Sequence, residues 1–125
     1  MKTSPMKVFD SFAWIEYFKG SQRGVKAKEY VESRIPIYTP SICLTEISSK
    51  YLKEGKDPRD RIDFILERTL IIDIDHKIAL KAAEIKNQLK LHTVDALVYA
   101  AAQAKSAPLV TGDSDFKNLP NVEFL

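Results

Sequence analysis

The fold is decided by a stretch near the start of the chain, Met6-Lys7-Val8-Phe9-Asp10-Ser11-Phe12-Ala13-Trp14. Its first four residues form a short apolar run that predicts a β-strand. Asp10 and Ser11 are residue types that begin helices, and the aromatic-rich segment after them predicts a helix through Phe18 that ends near Gly20. A strand followed at once by a helix is the repeating unit of an α/β fold.

The same alternation continues along the rest of the chain. Further helices are predicted at residues 22–33, 41–53, 59–68, 76–90 and 93–105, and further strands at 35–39, 70–74, 108–111 and 122–125. Pro36 and Pro40 favour a place near a sheet edge for the second strand, since proline cannot donate to a β-ladder. The order predicts an α/β fold around a short, mostly parallel sheet of four to five strands.

Length and composition limit the class of protein and its cellular setting. A chain of 125 residues is predicted to form a single domain, residues 1–125. Asp10 and Glu16 interrupt the apolar stretch that follows the basic start, which argues against a signal peptide, and no segment approaches the ~20 apolar residues of a membrane span. The one cysteine, Cys43, favours a reducing, cytoplasmic setting without disulfides. A net charge of +2 neither supports nor excludes a nucleic-acid partner.

Four carboxylates are the candidate functional residues. Asp10 and Asp113 each follow a predicted strand, where α/β proteins bind ligands, although helix capping and a polar turn are simpler interpretations. Asp95 lies near the start of a helix that is apolar all round, so its charge needs a partner or a metal. Glu46 lies at the flank of its helix, a place where most glutamates are simply solvated.

The predicted topology brings these groups to one rim, because right-handed crossovers point all parallel strands the same way. Anions at such close range raise one another's pKa unless a cation compensates them. Oxygen ligands without a Cys/His cluster select Mg²⁺ or Mn²⁺. Mg²⁺ takes few carboxylates and leaves positions for phosphate oxygens, so the pattern favours phosphoryl transfer.

Four segments, in this order, resemble the PIN-domain nucleases and, among them, the VapC-type toxins of toxin-antitoxin pairs. They are Val8-Phe9-Asp10-Ser11 with its aromatic helix, Thr45-Glu46-Ile47, the helix from Thr93-Val94-Asp95-Ala96 to Ala102, and Thr111-Gly112-Asp113-Ser114-Asp115-Phe116. The resemblance covers essentially the whole chain.

This resemblance implies a three-layer α/β/α sandwich and a ribonuclease that hydrolyses single-stranded RNA with one or two Mg²⁺ or Mn²⁺ ions. It assigns metal binding and catalysis to Asp10, Glu46, Asp95 and Asp113, with Asp115 as an auxiliary metal ligand. Ser11 and Thr111 are expected to support the aspartates by hydrogen bonds. A homodimer and a cognate antitoxin of a type II pair are the implied partners.

Other polar residues receive plainer interpretations. His76, His92, Asp73 and Asp75 are predicted to be loop, strand-end or cap residues and not ligands. Six basic residues near the site are candidates for RNA contacts: Lys19, Arg23, Lys26, Lys50, Lys53 and Lys56. Each is explained as well by a solvated helix face. The aromatics Phe12, Trp14, Tyr17 and Phe18 are predicted to be mainly core.

Two alternatives stay open at this point. A response-regulator receiver also has alternating β and α elements and an acidic Mg²⁺ pocket, and Asp73 would then imitate its phosphate acceptor. The chain has a single Asp10 after its first strand, however, and no lysine matching the receiver pattern. The second alternative is a PIN-like fold kept as a non-catalytic binding module, against which the intact set of acids argues.

Overall fold

A computed structural model describes residues 5–125, so residues 1–4 of the segment weighed as a leader lie outside it. In this described part of the chain, five strands form one sheet: β1 (Lys7–Phe9), β2 (Ile37–Pro40), β3 (Leu70–Ile72), β4 (Leu109–Thr111) and β5 (Val122–Phe124). Their order is β3-β2-β1-β4-β5, and every neighbouring pair is parallel. The predicted parallel α/β sheet is confirmed.

Within residues 5–125, six α-helices connect the strands: α1 (Ser11–Lys19), α2 (Val25–Glu32), α3 (Ser41–Lys53), α4 (Arg59–Arg68), α5 (His76–Leu89) and α6 (Thr93–Ala104). Short 3₁₀ turns occupy Gln22–Gly24 and Ser114–Phe116. Gly20 ends α1 in the left-handed conformation at φ 66°, as its position after the helix predicts.

The helices cover both faces of the sheet. Successive strand residues point to opposite faces, so Val8 and Leu109 pack in one core cluster with α5 and α6, whereas Phe9 and Val110 pack in the other with α1 to α4. This is the expected three-layer α/β/α arrangement. None of the helices in residues 5–125 combines the length and apolar character needed to cross a bilayer.

Two predictions can be compared in detail. β2 lies near the sheet edge, as predicted, because it pairs with β1 on one side and with the edge strand β3 on the other. Pro36 precedes the strand and contributes only its carbonyl, which accepts from the Lys7 backbone N–H. The predicted helix over residues 22–33 is divided, since a 3₁₀ turn capped by Ser21 precedes α2.

A directed chain of buried hydrogen bonds fixes α1 on the sheet. The Trp14 Nε1–H donates to Thr39 Oγ1 (3.1 Å), and Thr39 and Thr69 share a hydroxyl contact of 3.0 Å. The Thr69 hydroxyl donates onward to the Ile65 carbonyl (2.9 Å), so Thr39 is the donor to Thr69. The chain joins α1, β2 and the end of α4, and thereby positions the helix that follows Asp10.

The chain of hydrogen bonds predicts an unequal effect for two similar substitutions. Thr39→Val leaves the buried Trp14 N–H without an acceptor and should lower the free energy of unfolding by about 1–3 kcal/mol. Thr69→Val should cost less, because the Ile65 carbonyl still accepts from the Thr69 backbone N–H. Urea unfolding of both variants measures the difference. A larger loss in Thr69→Val would contradict the proposed direction of the chain.

Candidate metal centre

The site begins where two neighbouring strands end. Asp10 follows β1 directly, and Asp113 lies two residues beyond the end of β4. Val8 and Phe9 pair in register with Leu109 and Val110, so both strands deliver their acids to the same edge of the sheet. Thr111 joins them: its hydroxyl donates to Asp10 Oδ2 and accepts from the Asp113 backbone N–H at 3.0 Å.

Asp10 is the deepest of the acids, with 4% of its surface exposed. Its Oδ1 caps α1 by accepting from the Ala13 N–H at 2.9 Å, so it is a helix cap as well as a site residue. Burial, together with the charges of Asp113 and Glu46, raises the pKa of this carboxyl from 3.8 to about 7, although the hydrogen bonds from Thr111 and Ala13 lower it. A metal-free Asp10 therefore holds its charge at a free-energy cost.

Asp95 meets two other aspartates across the site. It lies in the first turn of α6 and is half-buried. One carboxylate oxygen from each of Asp95, Asp113 and Asp115 can be chosen so that all three lie within 4.8 Å of one another. Burial, then the charge of Asp113 and a hydrogen bond with Asp115, raise the pKa of Asp95 to about 6. Three oxygens at these distances could hold one metal ion together.

Glu46 approaches the same space from α3. Its charge contributes to the raised pKa of both Asp10 and Asp95, which places it electrostatically at the site. The Ser11 hydroxyl donates to Glu46 Oε1 at 2.9 Å. Ser11 thus supports the glutamate, and not an aspartate as the resemblance led us to expect, whereas Thr111 does contact Asp10.

Arg23 holds the turn that presents Asp113, a role that sequence reasoning missed. Its guanidinium donates to the Gly112 carbonyl at 2.8 Å and lies over the Phe12 ring, 4.8 Å from the centroid. A Cβ added at Gly112 would come within 2.3 Å of the Phe12 ring and 2.9 Å of an Arg23 nitrogen. The glycine is therefore needed for close packing, and no local sequence pattern pairs residues 89 positions apart.

The remaining polar candidates serve other purposes. Asp75 caps α5 by accepting from the Ile78 N–H at 2.9 Å, as predicted. His92 precedes α6, and both it and His76 are exposed. Asp73 follows β3, an edge strand separated from β1 by β2, so Asp10 and Asp73 follow strands that are not neighbours.

The donor set fits a hard divalent cation. Among residues 5–125, the group of residues that could hold a metal ion consists of three aspartates, so its ligand atoms are all oxygens. Burial and the charges of Asp10 and Glu46 raise the pKa of the nearby Cys43 thiol well above its usual range, which favours the protonated thiol in the metal-free protein. A bound cation would compensate carboxylates whose pKa values are raised by burial and by neighbouring acids, and oxygen ligands favour Mg²⁺ or Mn²⁺.

Similar folds occur in solved structures of toxins and their complexes. A toxin-antitoxin complex from Klebsiella pneumoniae contains a chain with 25% identity and a TM-score of 0.78, covering 94% of this chain and 95% of that one. VapBC2 from Rickettsia felis, bound to a promoter DNA fragment, gives 23% identity and a TM-score of 0.76, with coverage of 96% and 97%. For Mycobacterium tuberculosis VapC20, a toxin that cleaves the sarcin-ricin loop, the values are 17%, 0.75, 94% and 97%.

No curated protein matches the chain by sequence. The PIN domain family, in contrast, matches residues 7–122, which is nearly the whole length. Its match agrees with the parallel sheet, the two helical layers and the acids gathered at the ends of β1 and β4. The chain belongs to the PIN domain family.

Proposed function

We propose that this protein is a Mg²⁺- or Mn²⁺-dependent endoribonuclease that hydrolyses single-stranded RNA, and that it is the toxin of a type II toxin-antitoxin pair. The observation that carries the proposal is the convergence of Asp95, Asp113 and Asp115, whose carboxylate oxygens lie within 4.8 Å of one another beside the buried Asp10. Carboxylates this close together repel one another unless a cation compensates their charge. In a nuclease, that cation activates the scissile phosphate.

Each acid has a distinct part in the proposed mechanism. Asp95, Asp113 and Asp115 would hold the cation, with Asp10 and Glu46 as further ligands at the base and the α3 side of the site. When bound, the cation supplies Lewis acidity to the scissile phosphate and to an attacking water. Thr111 donates to Asp10 and Ser11 donates to Glu46 Oε1, and these hydrogen bonds would orient both carboxylates to hold the cation.

The partners follow from the similar structures. VapC20 is a toxin that cleaves the sarcin-ricin loop, which supports RNA as the substrate class. The complexes from Klebsiella pneumoniae and Rickettsia felis support an antitoxin as the regulatory partner. The homodimer and the cytoplasmic setting implied at the sequence level remain predictions.

The receiver alternative does not agree with the topology. A receiver has the strand order 2-1-3-4-5, which keeps its third strand in the interior of the sheet. Here β3 is at the edge, and the acids gather on β1, β4 and α6. A non-catalytic binding module stays as the second candidate, and the cleavage assay below separates it from the nuclease.

Cleavage of a labelled single-stranded RNA tests the proposal. Wild-type protein should cleave with Mg²⁺ or Mn²⁺ and lose activity in EDTA. Asp95→Asn and Asp113→Asn should each lose roughly 100-fold or more, since each removes a ligand from the site. Asp73→Asn is the matched control, because it makes the same charge change at an exposed residue away from the site. Equal rates in wild type, Asp95→Asn and Asp113→Asn would refute the site, and an inactive wild type would favour the binding module.

The crowded acids also predict how the metal-free protein responds to pH. The folded-state pKa of Asp10 is raised from 3.8 to about 7, so the folded state binds the proton more tightly than the unfolded state does. Protonated Asp10 makes its full contribution to the free energy of unfolding below pH 3.8. This contribution is lost as the pH rises to about 7, and the loss is at most about 4 kcal/mol. Asp10→Asn should therefore be more stable than wild type at pH 8 in EDTA and nearly equal to it at pH 4.

Asp75→Asn is the control for this measurement. Asp75 caps α5 with the same geometry as Asp10 caps α1, but its pKa is lowered, chiefly by the hydrogen bond from the Ile78 N–H. Its removal should leave stability at pH 8 unchanged or reduced. Urea titrations at both pH values compare the two variants. A less stable Asp10→Asn at pH 8 would show that the Asp10 charge costs the metal-free fold nothing.

A further inference from the structure

A groove leads away from the metal centre along the solvent face of α3. A depression of about 500 Å³ is lined by Thr45, Glu46, Ser49, Lys50, Lys53 and Glu54. A second one, of about 370 Å³, adjoins it, since Lys50 and Glu54 line both, and it extends to Lys19, Lys56 and Arg61. We call the two together the α3 groove. It begins at a site residue, Glu46, and continues beyond the end of the helix.

The charge of the groove reverses along its length. Glu46 belongs to the acidic site, whereas Lys50 and Lys53 lie one and two turns further along the same helical face. At 1.5 Å per residue, Lys53 is about 10 Å from Glu46 along the helix axis. Lys19, Lys56 and Arg61 add three positive charges at the far end. A cationic path thus starts beside the acids and leads away from them.

Little within the described residues neutralises this path. Lys50 and Lys56 share one acid, Glu54, and Lys19 pairs with Glu16 at 3.4 Å. Across residues 5–125, neither Lys53 nor Arg61 has an acidic group within ion-pair distance. Exposed ion pairs are worth about 0–1 kcal/mol, so a phosphate can replace the carboxylate in them.

The structure also separates the basic residues that the sequence grouped together. Arg23 donates a hydrogen bond to the Gly112 carbonyl. Lys26 lies 3.9 Å from Glu29 and over the Tyr30 ring on α2. Lys19, Lys50, Lys53 and Lys56 line the groove. At its far end, Arg61 lies over the Tyr51 ring at 4.4 Å, where a guanidinium plane can stack on a base.

We propose that the α3 groove binds the backbone of the RNA strand on one side of the scissile phosphate, with Lys50 and Lys53 as phosphate contacts and Arg61 at the end of the path. The inference rests on the proposed ribonuclease function, which sets the class of ligand. Single-stranded RNA suits the groove because cationic side chains follow its phosphates and aromatic or guanidinium planes meet its bases.

Fluorescence anisotropy with a labelled single-stranded oligoribonucleotide, in EDTA so that metal-dependent cleavage is silent, tests the proposal. The double variant Lys50→Gln with Lys53→Gln should weaken binding about tenfold at low salt and reduce the slope of log Kd against log salt by about 0.7 per lysine. The control is Lys26→Gln with Lys28→Gln, which removes two exposed lysines on α2 and should stay within about twofold of wild type.

The outcomes keep the two proposals apart. If wild type cleaves RNA and the groove variant binds RNA as tightly as wild type does, the groove proposal is wrong and the nuclease proposal stands. If only the groove variant loses RNA binding and wild type does not cleave RNA, the result supports the groove proposal and refutes the nuclease proposal. Equal losses in the groove and control variants, or no RNA binding by wild type, would overturn the groove. Circular dichroism checks that both variants fold.

Discussion

The candidate site depends on one constraint: the fold crowds several carboxylates together at one edge of a parallel sheet. β1 and β4 are neighbours, so the acids that follow them meet there, and α6 and α3 bring Asp95 and Glu46 to the same place. Hydrogen bonds from Thr111 and the Ala13 N–H stabilise the Asp10 charge, yet burial outweighs them and its pKa stays near 7. The fold holds a group of charges that a divalent cation would compensate, and this is the physical basis for the proposed metal centre.

Sequence reasoning predicted what depends on local patterns. The start of α5 at the Asp75 cap, the end of α1 at Gly20 and the bounds of α3 and α4 follow from caps and hydrophobic period. The convergence of acids followed from a general property of parallel sheets, that their carboxyl ends share one edge. The resemblance to PIN-domain nucleases added Glu46, for which the local pattern gave little support.

What the sequence could not predict depends on contacts between distant segments. Two prolines placed β2 near the sheet edge, but they did not predict that Pro36 falls just outside the strand and that its carbonyl still accepts from the Lys7 N–H of β1. Ser11 donates to Glu46 because α1 and α3 are adjacent, and Arg23 reaches Gly112 across 89 positions. Such pairings are set by tertiary packing, and no local period or spacing encodes them.

A net charge of +2 conceals two regions of opposite sign, the acidic cluster proposed as a metal centre and the basic α3 groove beside it. A nuclease needs both, since the acids hold cations and the basic residues hold phosphates. The central claim is that the acids form a divalent metal centre. Anomalous diffraction from a crystal soaked in Mn²⁺ tests it most directly. We predict a manganese peak between Asp95 and Asp113, within coordination distance of Asp10 or Asp115. An ordered site without a peak, or a peak only elsewhere, would contradict the account.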